Sequence, residues 1–263
     1  MRSIAENTAT NILKEQFIPD NVFVYVAKGA LRVFDGNKNY VFKSGDAFVA
    51  RKNRLAKYEL LENKDPFEPI LFCFDEPFLK DFQNKHTGRK SGFKTNDAFI
   101  RIQKNSFISS FIKSVKPYYK GVMELDADFE DLKYEELLII LLKQQPELVD
   151  LLFDFAPQQK INLEAFMNRN FMFNVQVERF AFLTGRSLSA FKRDFQTIFD
   201  ETPNRWLVKK RLEEAHFLIS QKKQKPNGIY LDLGFESLSH FSVAFKKLFG
   251  TTPTELAMKN TRN

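Results

Sequence analysis

The strongest constraint on the fold is an internal repeat. The stretch "SLSAFKRDFQTIFDETP", residues 187 to 203, returns as "SLSHFSVAFKKLFGTTP", residues 237 to 253, fifty positions later. Read at the helical period, Leu188, Phe191, Phe195 and Phe199 form one apolar face, and Leu238, Phe241, Phe245 and Phe249 form the same face again. Ser187 and Ser237 suit N-caps, because a hydroxyl accepts from first-turn amides that have no partner within the helix. Asp200 and Gly250 mark the two ends, and Thr202-Pro203 and Thr252-Pro253 open the helices that follow. Thr252 and Glu255 also have capping-box spacing. Aligning 183–206 with 233–256 gives nine identical pairs in twenty-four, read as caps, core and punctuation. The repeat preserves a fold.

What precedes each copy completes the unit. "NVQVERFAFLTGR" predicts a short helix with Val177, Phe180, Ala181 and Leu183 inward, and "KPNGIYLDLGFE" predicts another that begins at Pro226. Each runs into a turn containing glycine, Gly185 or Gly234. Helix, turn and helix make a unit whose second helix can enter a major groove. The two units span about 174–200 and 226–250. Between them "NRWLVKKRLEEAHFLIS" carries apolar Trp206, Leu207, Leu212, Ala215, Leu218 and Ile219 and predicts one connecting helix over about 203–222. Two heads on such a spacer can address groove faces roughly 34 Å apart. Charge agrees with an acidic partner: residues 161–263 hold 16 Lys and Arg against 10 Asp and Glu, whereas residues 1–160 hold 24 against 23. A basic domain beside a neutral one points to a polyanion, with a merely solvated basic surface as the alternative.

The remaining sequence has another texture. "VFVYVAKG", "ALRVF", "NYVFK", "AFVAR", "LAKYELL" and "ILFCF", between Val22 and Phe74, read as six short strands, with turn signals at Asp35 to Asn37 and Ser44 to Asp46. Closely spaced strands of this kind imply an antiparallel sandwich or small barrel. Beyond them the period becomes helical: Phe107, Ile108, Phe111, Ile112 and Val115 form one stripe, and Leu137, Leu138, Leu141 and Leu142 another. Each stripe needs a cover, either its own domain or a second copy. The organisation is therefore α+β: an N-terminal antiparallel β-barrel or sandwich with a helical hairpin over 1–155 (strands about 19–75, helices about 76–154), and a C-terminal all-α domain over 161–263. A linker is expected in "DFAPQQKIN", Asp154 to Asn162.

Other chemistries find little support. The chain has three histidines, His86, His216 and His240, and none lies on an expected strand, so a barrel-type metal site is not expected. Cys73, the single cysteine, sits in an alternating apolar strand and reads as a buried, inert thiol. No phosphate-binding glycine loop or nucleophile elbow occurs, and neither a catalytic residue nor a cofactor is expected. The first seventeen residues, "MRSIAENTATNILKEQF", lack the apolar core of a secretory signal, and "LLIILL" is far shorter than the roughly 20 residues that span a bilayer. A cytoplasmic protein is expected, without a membrane partner.

"IYLDLGFESLSHFSVAFKKLFGTTPTEL", Ile229 to Leu256, resembles the signature of AraC/XylS-type transcriptional regulators, and "RWLVKKRLEEAHFLI" is similar to their connecting helix. The resemblance covers about the last hundred residues. It implies a seven-helix double helix-turn-helix domain that binds double-stranded promoter DNA beside RNA polymerase, and an N-terminal half that senses an effector or dimerises. "KGALRVFDGNKNYVFKSGDAFVARKN" is similar, more loosely, to the cupin-like sensor half of that family. The nearest branch is the one typified by the ExsA activator of type III secretion, where a regulatory protein is the signal; a small-molecule effector stays open, as does a homodimer through the N-terminal helices.

The face opposite Phe191 and Phe195 presents Ser189, Ala190, Arg193, Gln196 and Thr197, with Lys192 on its flank. Arg193 is the strongest candidate for base reading, because guanidinium pairs bidentately with guanine O6 and N7. Lys192 suits a phosphate. In the second copy the matching residues are Ser239, His240, Val243, Lys246 and Lys247, with Ser242 on the flank. Val243 stands where the first copy has Arg193, and the family often has a long polar residue there, so the second head reads differently: Val243 on a thymine methyl with Ser239 or His240 donating, or backbone contact alone. His240 is also weighed as a proton-sensitive group. Lys222, Lys223 and Lys225 suit a phosphate at the Pro226 helix or a plain solvated run. Two other readings compete with a DNA-binding regulator: a cupin-like enzyme with a nucleic-acid tether, and a protein-interaction module using its basic helices.

Overall fold

The structure is a computed structural model that describes residues 16–61, 66–86, 91–121 and 124–259. The stretch tested for a secretory signal lies outside the described residues up to residue 15, as do residues 260–263 at the other end. The chain divides into two compact units between Ala156 and Pro157.

In the first unit four strands, β8 (Glu68–Phe74), β2 (Asn21–Lys28), β5 (Ala47–Ala50) and β9 (Phe99–Ile102), pair in that order. Their antiparallel register sets Val22 against Ala50 and Cys73, and Ala47 against Ile102. A second sheet orders β4 (Asn39–Lys43), β3 (Ala30–Phe34) and β7 (Lys57–Leu60). Short pairs join β1 (Phe17–Ile18) to β6 (Arg54–Leu55) and β10 (Tyr119–Gly121) to β11 (Glu124–Leu125). The turn signals act as read: Asp35 Oδ1 accepts from the amides of Asn37 and Lys38, both at 2.9 Å, beside Gly36 at φ 88°.

Alternation along β2 explains the layering. Val22, Val24 and Val26 face Leu31, Val33, Phe42 and Phe48 between the two sheets, and Phe42 stacks on Phe48 with centroids 3.9 Å apart. Phe23, on the other face, joins Phe72, Phe74 and the helices. Those helices are α1 (Glu76–Lys85), α2 (Ser106–Val115), α3 (Ala127–Gln144) and α4 (Leu148–Leu152). Both sequence stripes are covered by this unit's own core: Ile108, Phe111, Ile112, Val115, Leu137, Leu138 and Leu141 are buried there. Two members depart from the stripes, since Phe107 is exposed and Leu142 half-buried. Three strand expectations also change. "LAKYELL" breaks at Ala56 into β6 and β7, which join different sheets; β9 completes the larger sheet although "FIRI" has only four residues; and Cys73 is half-buried rather than buried.

The second unit is all-helical among its described residues: α5 (Leu163–Asn170), α6 (Val177–Leu183), α7 (Leu188–Phe199), α8 (Pro203–Ser220), α9 (Pro226–Ile229), α10 (Leu238–Phe249) and α11 (Pro253–Lys259). Ser187 accepts from the Ala190 amide at 3.3 Å and Ser237 from the His240 amide at 3.2 Å, so both caps hold. Asp200 and Gly250 take left-handed backbone at φ 53° and 74°. Thr252 and Glu255 close a reciprocal capping box, whereas Thr202 makes no side-chain cap and Arg205, in place of the glutamate, cannot accept the reciprocal bond. The repeat also differs at α9, which ends after one turn where α6 runs for seven residues. From Tyr230 the chain continues in turns, with the Gly234 amide on Leu231 O and the Phe235 amide on Tyr230 O.

Arg211 lies on α8, in the apolar stripe between Leu207 and Ala215, and is only 7% exposed. Its Nε donates to Phe171 O at 2.7 Å, Nη2 to Phe173 O at 2.7 Å and Nη1 to Gly234 O at 2.9 Å. Burial pushes the guanidinium down to about 10, so it stays charged near neutrality. Gly234 is at φ +83°, and a Cβ there would meet Met172 O at 2.8 Å and the guanidinium carbon at 2.9 Å. Arg211→Met is expected to leave three buried carbonyls unpaired and cost about 3 to 5 kcal/mol. Urea unfolding followed by fluorescence of Trp206, the one tryptophan, which packs 4.6 Å from Phe199, measures it. In the first unit Phe72 lies between Phe111 and Tyr134 at 5.4 and 5.0 Å. Calorimetry is expected to show Phe72→Ala lowering that unit's transition by about 3 to 5 kcal/mol and leaving the Trp206 transition in place.

Candidate nucleic-acid interface

The outer helix of each unit turns its phenylalanines inward and its polar residues out. On α7, Phe191 and Phe195 are fully buried while Ser189, Lys192, Arg193, Gln196 and Thr197 are exposed and Ala190 is half-buried. Arg193 has 76% of its side chain exposed, and its nearest carboxylate oxygen, Asp194 Oδ1, lies 3.4 Å from Nη2. Nη2 thus donates to Asp194 at long range, and most of the guanidinium faces solvent, where a base can meet it. Thr197 Oγ1 donates back to Arg193 O at 3.1 Å, and Gln196 Nε2 reaches Asp200 Oδ1 at 3.5 Å.

On α10, Phe241 and Phe245 are buried and Ser239, His240, Val243, Lys246 and Lys247 are exposed, with Ser242 half-buried on the flank. Val243 is 69% exposed among polar and cationic neighbours. The His240 ring stands edge-on to Phe235 with centroids 5.9 Å apart. Ser189 and Ser239, identical in the two copies, are neither caps nor core but belong to the outward face. Beyond α8, Lys222, Lys223 and Lys225 are exposed, and Lys222 Nζ sits 5.8 Å from the Phe217 ring centroid. Lys223 has left-handed backbone at φ 57°.

Two charged groups that support the heads were not singled out in the sequence. Asp194 receives Arg186 Nε at 3.1 Å and Lys160 Nζ at 3.2 Å, and these hydrogen bonds hold its carboxyl below the ordinary aspartate range. Arg211 is the other. Both carry a legible signal, a charge on an apolar stripe: Asp194 falls between Phe191 and Phe195, and Arg211 between Leu207 and Ala215.

Among the described residues no three His, Cys, Asp or Glu side chains are grouped to hold a metal ion. His86 follows α1, where its Nε2 lies 2.8 Å from Glu135 Oε1; His216 lies on α8 and His240 on α10. No helix among the described residues is long and apolar enough to cross a membrane.

Residues 21–151 match the ExsA N-terminal regulatory domain, and residues 180–259 match a helix-turn-helix domain. The chain is 29% identical over 126 residues to the virulence regulon transcriptional activator VirF of Yersinia enterocolitica, which covers 47% of this chain and 46% of that relative. The match thus spans about half the length of that relative. Similarity to the HTH-type transcriptional regulator ExsA of Pseudomonas aeruginosa runs further, 28% over 235 residues, covering 88% of this chain and 84% of the relative. Among solved structures, an apo ToxT variant from Vibrio cholerae covers 93% of this chain and 90% of its own at 14% identity and a TM-score of 0.42. Both halves of the chain, one matching the ExsA regulatory domain and one matching the helix-turn-helix domain with its two outward polar faces, therefore belong to the AraC/XylS-type family of transcriptional regulators.

Proposed function

We propose that the chain is a cytoplasmic, sequence-specific DNA-binding regulator that activates transcription. The observation that carries this reading is the pair of outward helix faces on a repeated, well-packed scaffold, the first led by an exposed Arg193. Arg193 reads guanine in the major groove, with Ser189 and Gln196 beside it, and Lys192 holds a phosphate. Ser239, His240, Ser242, Val243, Lys246 and Lys247 form the second contact surface. VirF is named as a transcriptional activator and ExsA as a transcriptional regulator, and the role is carried over from them.

The division of labour is part of the same proposal. Residues 161–263 grip promoter DNA beside RNA polymerase, and residues 1–155 form a cupin-like domain that receives a small-molecule or protein effector. Self-association through the N-terminal helices then uses residues their own core leaves exposed, Phe107, Phe129 and Leu132. No reaction is assigned to the chain. Selection of duplexes from a random pool by the full chain is expected to yield a short motif. Arg193→Ala is expected to relax preference at one part of it, at a cost of about 1 to 3 kcal/mol without unfolding. Binding that is steeply salt-dependent but indifferent to sequence and to Arg193 would instead make the domain an electrostatic clamp.

A further inference from the structure

We propose that residues 157–161 form a strap that sets the pose of the first outer helix, α7, making the stretch that leads out of the N-terminal unit a positioning element for DNA reading. The proposal rests on the DNA-binding role above and adds a route by which that role is controlled.

Three observations converge on the strap. Gly185 has φ +67°, and any side chain on it would collide with the backbone of Gln159 and Lys160, so strap and turn meet backbone to backbone. Hydrogen bonds lace the same contact: the Ile161 amide donates to Thr184 O at 3.4 Å, and Arg186 Nη1 donates to Ile161 O at 3.0 Å and to Thr184 O at 2.8 Å. Finally, Lys160 Nζ and Arg186 Nε converge on Asp194 Oδ2 at 3.2 and 3.1 Å, one residue along α7 from Arg193.

The second head is laced differently: its turn at Gly234 also meets backbone, at Met172 O, but the grip comes from Arg211 on α8 and not from an ion pair on the outer helix. Fifty residues on, Glu236 and Ala244 occupy the places of Arg186 and Asp194. The ion-pair node on the outer helix thus belongs to the first copy, beside the chain segment that arrives from the N-terminal unit. Displacing the strap strips Lys160 and the Ile161 carbonyl from the node, loosens the hold on α7 at Asp194, and lets the neighbouring Arg193 leave its pose for the groove.

The test uses the full chain and the duplex that wild type selects, with single-mismatch duplexes at each position. Lys160→Ala and Asp194→Asn are expected to weaken binding about 2- to 5-fold, the worth of a largely exposed ion pair. The loss is expected to be confined to mismatch penalties at the base pairs that Arg193→Ala relaxes, with Lys160→Arg retaining wild-type behaviour and thermal melts unchanged for Lys160→Ala. Wild-type mismatch penalties in both variants overturn the strap. So does a uniform, salt-dependent loss in Lys160→Ala with penalties intact, which makes Lys160 a phosphate contact. A wild type with no sequence preference removes the DNA-reading role itself and the strap's role with it.

Discussion

One guanidinium, that of Arg211, holds the second unit together at its least regular point. Its three acceptors are carbonyls just beyond α5 and in the turn before α10, where helix ends leave oxygens without intrahelical partners. Those oxygens carry partial negative charge, which is why a cation with no carboxylate at hand is buried there and still charged. The planar fork meets three acceptors at once, a geometry a lysine ammonium lacks. Gly234 lets the turn approach closely enough to be gripped, so glycine and arginine form one device. Through it α8 is more than a spacer: it fixes the loop before the first head and the turn of the second against a single side chain.

On this frame the two heads are the same scaffold with different faces. Leu188, Phe191, Phe195 and Phe199 have direct counterparts fifty residues on, because packing accepts little change of volume. Outward positions are under no such restraint, and there arginine in one copy faces valine in the other. The supporting charges differ as well. Asp194 ties the first head to the segment that enters from the N-terminal unit, whereas the second head is tied through Arg211 to the interior. One head is therefore open to influence from outside the domain, and the other is anchored within it.

The first unit rests on a different physical rule, the period-two alternation of β2. Both of its faces are apolar, so it can only be the middle layer, with the three-stranded sheet on one side and the helices on the other. Its main strands were legible from this alternation and from the turns at Asp35 and Ser44. β1 and β9 were not: β1 has only two residues, and β9 lies well beyond Phe74, after the pattern has turned helical and away from the run of strands it pairs with. The break of "LAKYELL" at Ala56 was equally invisible, since only the two sheets it serves define it.

The sequence alone determined everything that depends on period and local bonding. The repeat, its caps at Ser187 and Ser237, its ends at Asp200 and Gly250, and the inward phenylalanines each follow from neighbours three or four residues away. It also determined which outward residues differ between the copies. Tertiary structure alone decided where long-range partners lie: that both N-terminal stripes are covered by their own core, that α9 is one turn long, and that Arg211 and the Asp194 node join segments tens of residues apart. A charge on an apolar stripe announces that a partner exists. Only the folded chain says which one, because the partner is chosen by proximity in space, which no local period encodes.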